Sequence, residues 1–365
     1  MTFALFFPIH MLVTFIRSFS HDSESMNKHL NRLHQLLETV KEKNKILILT
    51  HNNPDPDSLA SAFTLKFILN KLLNLSVIVA YGGIVGRAEN KAMIKHLKLE
   101  LSHVTQIKFQ QYQGIIIVDT QPQAGNNSLP KEIIPDVVID HHPLRKATRA
   151  VPFYDVRPGH GATSTLAAEY LLESGLEIDD RIATALFYGI KSDTLDLSRE
   201  ATEADRKITF ILYPKVSTKI LSKIEHPKVP KYYFREFNRA LEEAVIYKDA
   251  VVSDLGLVKN PDMVPEMADS LLNIEGVKWT LCIGEFREDL FFSLRTSRTS
   301  AKAGGISMRM ARNIGFAGGH GMMAGGRVPL TSLASQEMNQ LKERLISRFL
   351  KALNRLDVRS TKLID

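Results

Sequence analysis

Val137-Val138-Ile139-Asp140-His141-His142-Pro143 is a β-branched run that ends in an acid and two imidazoles. A buried strand therefore delivers three polar, metal-competent side chains to one point. A second stretch has the same logic: Ile46–Leu49 is apolar and leads into His51-Asn52-Asn53-Pro54-Asp55-Pro56-Asp57-Ser58, which opens an apolar-periodic helix. Asp119 closes the run Ile115-Ile116-Ile117-Val118, and Asp193 stands in Gly189-Ile190-Lys191-Ser192-Asp193-Thr194. Four strand or helix ends thus aim carboxylates and imidazoles at one edge.

Working outward, short β-rich runs alternate with helical ones from Met26 to about Thr202: Ile46–Leu49 then 58–73, Val77–Ala80 then 87–97, then Ile115–Val118 and Val137–Ile139, with further helices at 162–174 and 179–190. This alternation predicts an α/β domain built on a parallel sheet with helices on both faces. Ligands on such sheets bind outside the carboxyl ends of the strands, where these acids and histidines fall. Residues 203–245 are charged, helical in pattern and interrupted by Pro214, Pro227 and Pro230, which predicts a helical linker. A smaller α/β domain follows over 246–357, with strands near 250–252, 278–283 and 290–294, a helix near 262–272 and a terminal amphipathic helix from 332 to 356. Gly315 to Gly326 holds six glycines, too many for a regular element. Phe3–Ile16 is nearly all apolar but contains Pro8 and His10, lacks a basic leader and falls short of the roughly 20 residues a spanning helix needs. Residues 1–25 read as a tail or an over-extended start.

The 365 residues suggest two domains, and the composition is that of an ordinary globular protein. The one cysteine, Cys282, excludes an intramolecular disulfide and a thiolate metal cluster, so a metal would be held by oxygen and nitrogen. A reducing, cytoplasmic setting is the expectation. The net charge of +7 suits an anionic substrate.

His51, Asp55 and Asp57 share one strand-to-helix loop, and carboxylate plus imidazole suits manganese or magnesium, with cobalt substituting in vitro. A helix cap needs only one such acid; the excess is repulsive unless a cation neutralises it. Asp119 alone would be a turn residue and Asp193 alone an acid set against a helix dipole. Their joint occurrence outweighs those separate readings. In Ala317-Gly318-Gly319-His320-Gly321 the backbone can approach an anion closely. From Leu290 to Ser335 there are Arg295, Arg298, Lys302, Arg309, Arg312 and Arg327 and no acid at all, which reads as a phosphate grip, with Arg309 and Arg312 the members best placed on solvated helix faces.

Together these residues resemble the DHH phosphoesterase superfamily, in its DHH–DHHA1, oligoribonuclease/pAp-phosphatase (nanoRNase) type, over about Asn27 to Leu350. The resemblance implies two divalent ions: His51, Asp55 and Asp119 would hold one, and Asp57, Asp119, His141 and Asp193 the other. It implies that Asp140 orients an imidazole, that His142 contacts the scissile phosphate or assists the leaving group, and that Arg295, Gly318, Gly319 and His320 bind substrate. The active site would lie in the cleft between the domains, and the substrate would be short RNA or a nucleotide. No membrane partner is expected, and a homodimer is left open. Pro56 stands where the family more often has glycine, as does Ala317, while Thr194-Leu195-Asp196-Leu197 lacks the glycine and aromatic of relatives; neither of the first two changes removes a ligand, and the last bears on substrate choice. Cleavage of c-di-AMP or pApA, RecJ-like exonuclease action on single strands, and a catalytically silent nucleotide sensor or RNA binder are the alternatives. Family II pyrophosphatases share the metal motifs but, by the same resemblance, carry a different second domain without the Gly318-Gly319-His320 pattern.

Overall fold

The computed structural model describes residues 23–198, 200–330 and 335–364, with side chains described from Arg32 onward except at 320 and 335. Most of the segment 1–25 therefore lies outside the described residues. Two units are distinguished: residues up to Val85 with Glu89–Pro227, and Gly86–Ala88 with Lys228 onward.

In the first unit, the four β-rich runs become β1 (Lys45–Leu49), β2 (Ser76–Tyr81), β4 (Gly114–Val118) and β5 (Val137–Asp140), and two strands that the sequence pattern does not mark, β3 (Ser102–His103) and β6 (Phe153–Val156), join them. They form a sheet in the order β3-β2-β1-β4-β5-β6, and every pair is parallel. Strands buried on both faces read as continuous apolar runs, as the central strands β1, β4 and β5 do. Alternate residues divide between two cores. Ile46, Ile48, Ile116, Val118, Val137 and Ile139 pack with side chains of α1 (Ser23–Val40), α2 (Pro56–Leu73), α3 (Ala88–Leu97), α4 (Thr163–Glu173) and α5 (Asp180–Asp193). On the opposite face Leu47, Leu49, Ile115, Ile117 and Val138 are covered by Ile107, Phe109, Tyr112, Leu129 and Val151. The helices bordering that face are 3-10 turns, at Val104–Gln106, Phe109–Gln111 and Ala147–Ala150.

The chain leaves β1 toward β2 and β3 on one side and resumes with β4, β5 and β6 on the other. The direction of winding thus reverses between β1 and β4, which makes the carboxyl end of that pair the natural ligand crevice of an open parallel sheet. His51 follows β1 and Asp119 follows β4.

The segment 203–245 holds three α-helices, which divide between the units, and a 3-10 turn at Tyr213–Lys215. Ile208 and Leu212 of α6 (Glu203–Leu212) and Leu221 and Ile224 of α7 (Thr218–Glu225) join the first core. Ala240 of α8 (Lys231–Glu242) joins a core of the second unit.

The second unit holds β7 (Val245–Tyr247), β8 (Ala250–Leu257), β9 (Trp279–Phe286), β10 (Asp289–Thr296), β11 (Phe316–His320), β12 (Met323–Pro329) and β13 (Thr361–Lys362), ordered β11-β12-β10-β9-β8-β7-β13. The β8–β9 pair is parallel, bridged by α9 (Met263–Leu271), and the others are antiparallel. One face packs on α8 and α9, the other on α10 (Ala303–Ala311) and α11 (Ser335–Ala352). The glycine-rich stretch is not irregular: it forms the β11–β12 hairpin. Its glycines serve close packing. A Cβ on Gly304 would lie 2.0 Å from the Gly319 carbonyl oxygen, so the start of α10 sits directly on the hairpin backbone. Among the described residues no helix is long and apolar enough to cross a membrane.

Candidate metal centre

His51 and His141 are anchored alike. His51 Nδ1 donates to the Asn52 carbonyl at 2.8 Å and His141 Nδ1 to the His160 carbonyl at 3.1 Å. A carbonyl only accepts, so the hydrogen sits on Nδ1 and Nε2 is turned to the acids. His51 Nε2 lies 3.3 Å from Asp55 Oδ1 and 3.4 Å from Asp119 Oδ2. His141 Nε2 lies 3.2 Å from Asp193 Oδ2 and 3.6 Å from Asp119 Oδ1.

The acids are held by local structure. Asp55 is the N-cap of α2, its Oδ1 accepting from Ser58 N at 2.9 Å, with Pro56 in the first turn. The capping and metal-binding readings of that loop therefore coincide on one residue. Asp119, buried just past β4, adopts φ +57°, a left-handed conformation that Asp tolerates better than most residues. Its Oδ1 accepts from Thr163 Oγ1 at 2.9 Å. Asp57 accepts from the backbone amides of Thr163 and Ser164 at 2.7 and 2.6 Å. Those amides open α4, whose own N-cap, Ala162, offers no side-chain bond, so an acid from α2 caps a helix about a hundred residues further on. Asp193 is the last residue of α5, where the helix dipole disfavours a negative charge.

Three groups of donors result, each with ligand atoms within 4.8 Å of one another: His51, Asp55 and Asp119; Asp57, His141 and Asp193; and Asp119, His141 and His142. Asp119 stands in two of them, and all six residues expected to hold metal are brought together. Burial, reinforced by Asp55 and Asp119 against the pull of His141, pushes the Asp193 carboxyl up to about 7. Burial and the neighbouring Asp119 and Asp193 likewise hold Asp57 well above the usual carboxylate range. Burial opposes charging of both imidazoles, yet Asp55 and Asp119 raise His51 well above its ordinary value, and Asp119 and Asp193 raise His141 to about 10. Asp57, Asp193 and the two imidazoles thus retain protons because positive charge is short. Against its burial, the His51 imidazole and Ser58 hold Asp55 below the usual carboxylate range. Oxygen with imidazole nitrogen is the donor set of a divalent cation. The residues fit such ions.

His142 Nδ1 bonds Asp140 Oδ1 at 2.8 Å, and this buried acid keeps the imidazole above its usual range despite the opposition of burial. Asp140 in turn accepts from Gln121 Nε2 at 2.6 Å. Gln121 Nε2 also reaches the Pro143 carbonyl, and its Oε1 accepts from Arg145 N and Thr148 Oγ1 at 2.8 and 2.7 Å. Sequence reasoning passed over Gln121 and Thr163, because their partners are set by tertiary contact; the only local signal for Gln121 was its place two residues after Asp119.

In the second unit, Arg295 is buried. Its Nε donates to Asp269 Oδ1 at 2.5 Å, and its Nη1 to Ser293 Oγ, Leu294 O and Ala324 O. The acid-free stretch is therefore not a one-signed field in space. Asp269, Asp249 and Asp289, from outside the stretch, pair with Arg295, Arg298 and Arg327. Gly318 and Gly319 lie in β11, and the His320 side chain lies outside those described.

Residues 45–190 match the DHH family, N-terminal domain, and residues 247–354 the DHHA1 domain. The chain belongs to the DHH family and carries a DHHA1 domain. An uncharacterized protein of Methanocaldococcus jannaschii is 33% identical over 321 residues, 87% of this chain and 65% of that protein. The manganese-dependent inorganic pyrophosphatase of Bacillus subtilis is 29% identical over 45% of this DHH chain and 52% of its own. The chain thus spans between about half and two thirds of these curated relatives' length. Among solved structures, an exopolyphosphatase-related protein from Bacteroides fragilis superposes with a TM-score of 0.70 at 17% identity, covering 89% of this chain and 98% of that one. RecJ from Thermus thermophilus, solved with Mn2+, gives 0.52 at 14% identity over 89% and 55%. At these identities the likeness is one of fold, and it extends the DHH–DHHA1 architecture across both units.

Proposed function

We propose that this chain is a divalent-metal-dependent phosphoesterase that hydrolyses phosphate ester bonds of short oligoribonucleotides, of pAp, or of both. The observation that carries the reading is the placement of Asp119 in two donor groups, one with His51 and Asp55 and the other reaching His141. His51, Asp55 and Asp119 would hold one ion, and Asp57, His141 and Asp193, with Asp119 between, the second. Bound there, manganese or magnesium would supply an acidified water and stabilise charge on the phosphoryl oxygens. The chain's own side chains do the rest. Asp140, itself held by Gln121, orients His142 through Nδ1, so that a proton on its other ring nitrogen can be delivered to the departing oxygen. Thr163 fixes the rotamer of Asp119, and the α4 amides fix Asp57. In the DHHA1 domain, the β11 glycines and His320 would hold the substrate's phosphate or base, and the buried Arg295, tied to Asp269 and to the Ala324 carbonyl of β12, would brace the hairpin that carries them.

Similarity to manganese-dependent pyrophosphatases favours one second reading, hydrolysis of a phosphoanhydride. A Mn-supplemented panel of pAp, short RNA, pApA, c-di-AMP and pyrophosphate separates the two. Turnover of pAp or short RNA that is abolished by chelation is the expected result. Turnover of pyrophosphate alone would transfer the assignment to the second reading, and no turnover of any compound would leave a nucleotide-binding protein without catalysis.

A further inference from the structure

The face of the second unit's sheet that packs on α10 and α11 contains a cavity of about 420 Å3. This is the face opposite to Arg295, whose guanidinium is held by Asp269 of α9. Trp279, Ile306 and Leu353 supply apolar lining, and Arg298, Lys302, Arg309 and Arg355 bring four cations to it. One carboxylate answers them: Asp249 pairs with Arg298 and with Arg355, each at 3.0 Å. Lys302 and Arg309 are exposed and have no ion pair among the described residues. Lys302 is also the N-cap of α10, so the positive end of that helix adds to the field. A concave, partly apolar site of this size with a few converging charges has the form of a small-molecule pocket rather than of a solvated helix face.

We propose that this cavity binds a phosphorylated nucleotide, free or as the 5′ end of an RNA strand, with the base against the Trp279 side and the phosphate between Lys302 and Arg309. An apolar wall beside uncompensated cations suits a ligand with a flat ring system at one end and a dianion at the other. Binding here requires neither the metal centre nor hydrolysis, so it stands or falls apart from the phosphoesterase reading.

Trp279 is the chain's sole tryptophan, and its emission reports occupancy directly. The full chain is titrated, with a chelator present to prevent turnover, against AMP, a 5′-phosphorylated RNA dodecamer, adenosine and inorganic phosphate. A saturable change in emission with AMP, with the RNA or with both is expected, and little with adenosine. The combined substitutions Lys302→Glu and Arg309→Glu should raise Kd at least about tenfold, the effect of losing a charge-assisted contact, with an unchanged melting temperature. Lys302→Arg should retain binding. A response to AMP identifies the free nucleotide as ligand, and a response to RNA alone identifies the strand end. No response to either, equal affinity in the doubly substituted chain, or phosphate binding as tightly as AMP would each overturn the proposal.

Discussion

Asp119→Asn tests the metal centre at its shared residue. Asparagine keeps the size of the side chain and an acceptor for Thr163 Oγ1, and it tolerates the φ of +57°. Alanine there would add a backbone penalty of about 1–2 kcal/mol that obscures the result. What asparagine removes is charge. In the metal-free protein that removal relieves the crowding that raises Asp57 and Asp193, so the melting temperature should stay level or rise. With manganese the sign reverses. An ion at about 100 times its Kd stabilises the wild type by about 2.7 kcal/mol, which for a unit of 150–250 residues raises Tm by about 5–11 °C. Substitutions that merely support a ligand weaken metal binding 10–100-fold, and loss of a ligand in two donor groups should exceed that and erase the shift. The assay is a thermal melt with and without manganese, paired with turnover of whichever compound the panel identifies. A wild-type manganese shift in Asp119→Asn, or turnover within about tenfold of wild type, would refute the shared role.

His142→Ala should keep the manganese-induced shift and lose turnover; a lost shift in melts at graded metal would make His142 a ligand, as its place in the group with Asp119 and His141 allows. Gln121→Leu strips a bond from Asp140 and leaves Arg145 N and Thr148 Oγ1 without their acceptor, so urea unfolding should show a loss of about 2–4 kcal/mol; a change under 1 kcal/mol would mean that water replaces the amide. Gly304→Ala should destabilise the second unit by about 1–3 kcal/mol, since its Cβ meets the Gly319 oxygen at 2.0 Å. Ordinary helix propensity predicts a gain of about 1 kcal/mol instead, so the sign of the change in the urea midpoint discriminates. Burial, with Glu169 adding to it, raises Glu173 to about 7 from an unfolded value of 4.5. Its contribution to stability is therefore full below about pH 4.5 and lost as pH rises through 7. Glu173→Gln should gain Tm relative to wild type between pH 5 and pH 8, and a pH-independent difference would contradict the shift.

The parallel sheet was legible because its strands are buried on both faces and so appear as uninterrupted runs such as Ile115–Val118. The candidate ligands were legible for a related reason, since each lies within a few residues of a strand end or in a helix-terminal turn, where sequence proximity and spatial proximity coincide. What escaped is what depends on distant partners. The basic stretch after Leu290 looked unopposed because Asp249 and Asp269 belong to other elements, and Arg295 looked open although it is buried. The six glycines suggested a loop because composition does not reveal that α10 rests against a hairpin and needs their missing side chains. Pro227 and Pro230 marked breaks correctly, but nothing local assigns α6 and α7 to one core and α8 to another.

Asp57 is carried by α2 and Asp119 by the turn after β4, yet they meet at Thr163, whose amide donates to Asp57 and whose hydroxyl donates to Asp119, while the Ser164 amide adds a second bond to Asp57. Those two amide protons are consequently a built-in gauge. Their exchange with deuterium records whether α4 is seated on the Asp57 carboxylate, without substrate, label or catalytic readout. Slow exchange there would mean that Asp57 is fixed on the start of α4 before any ion arrives, and fast exchange with protected amides elsewhere in α4 would mean that the ion itself seats it.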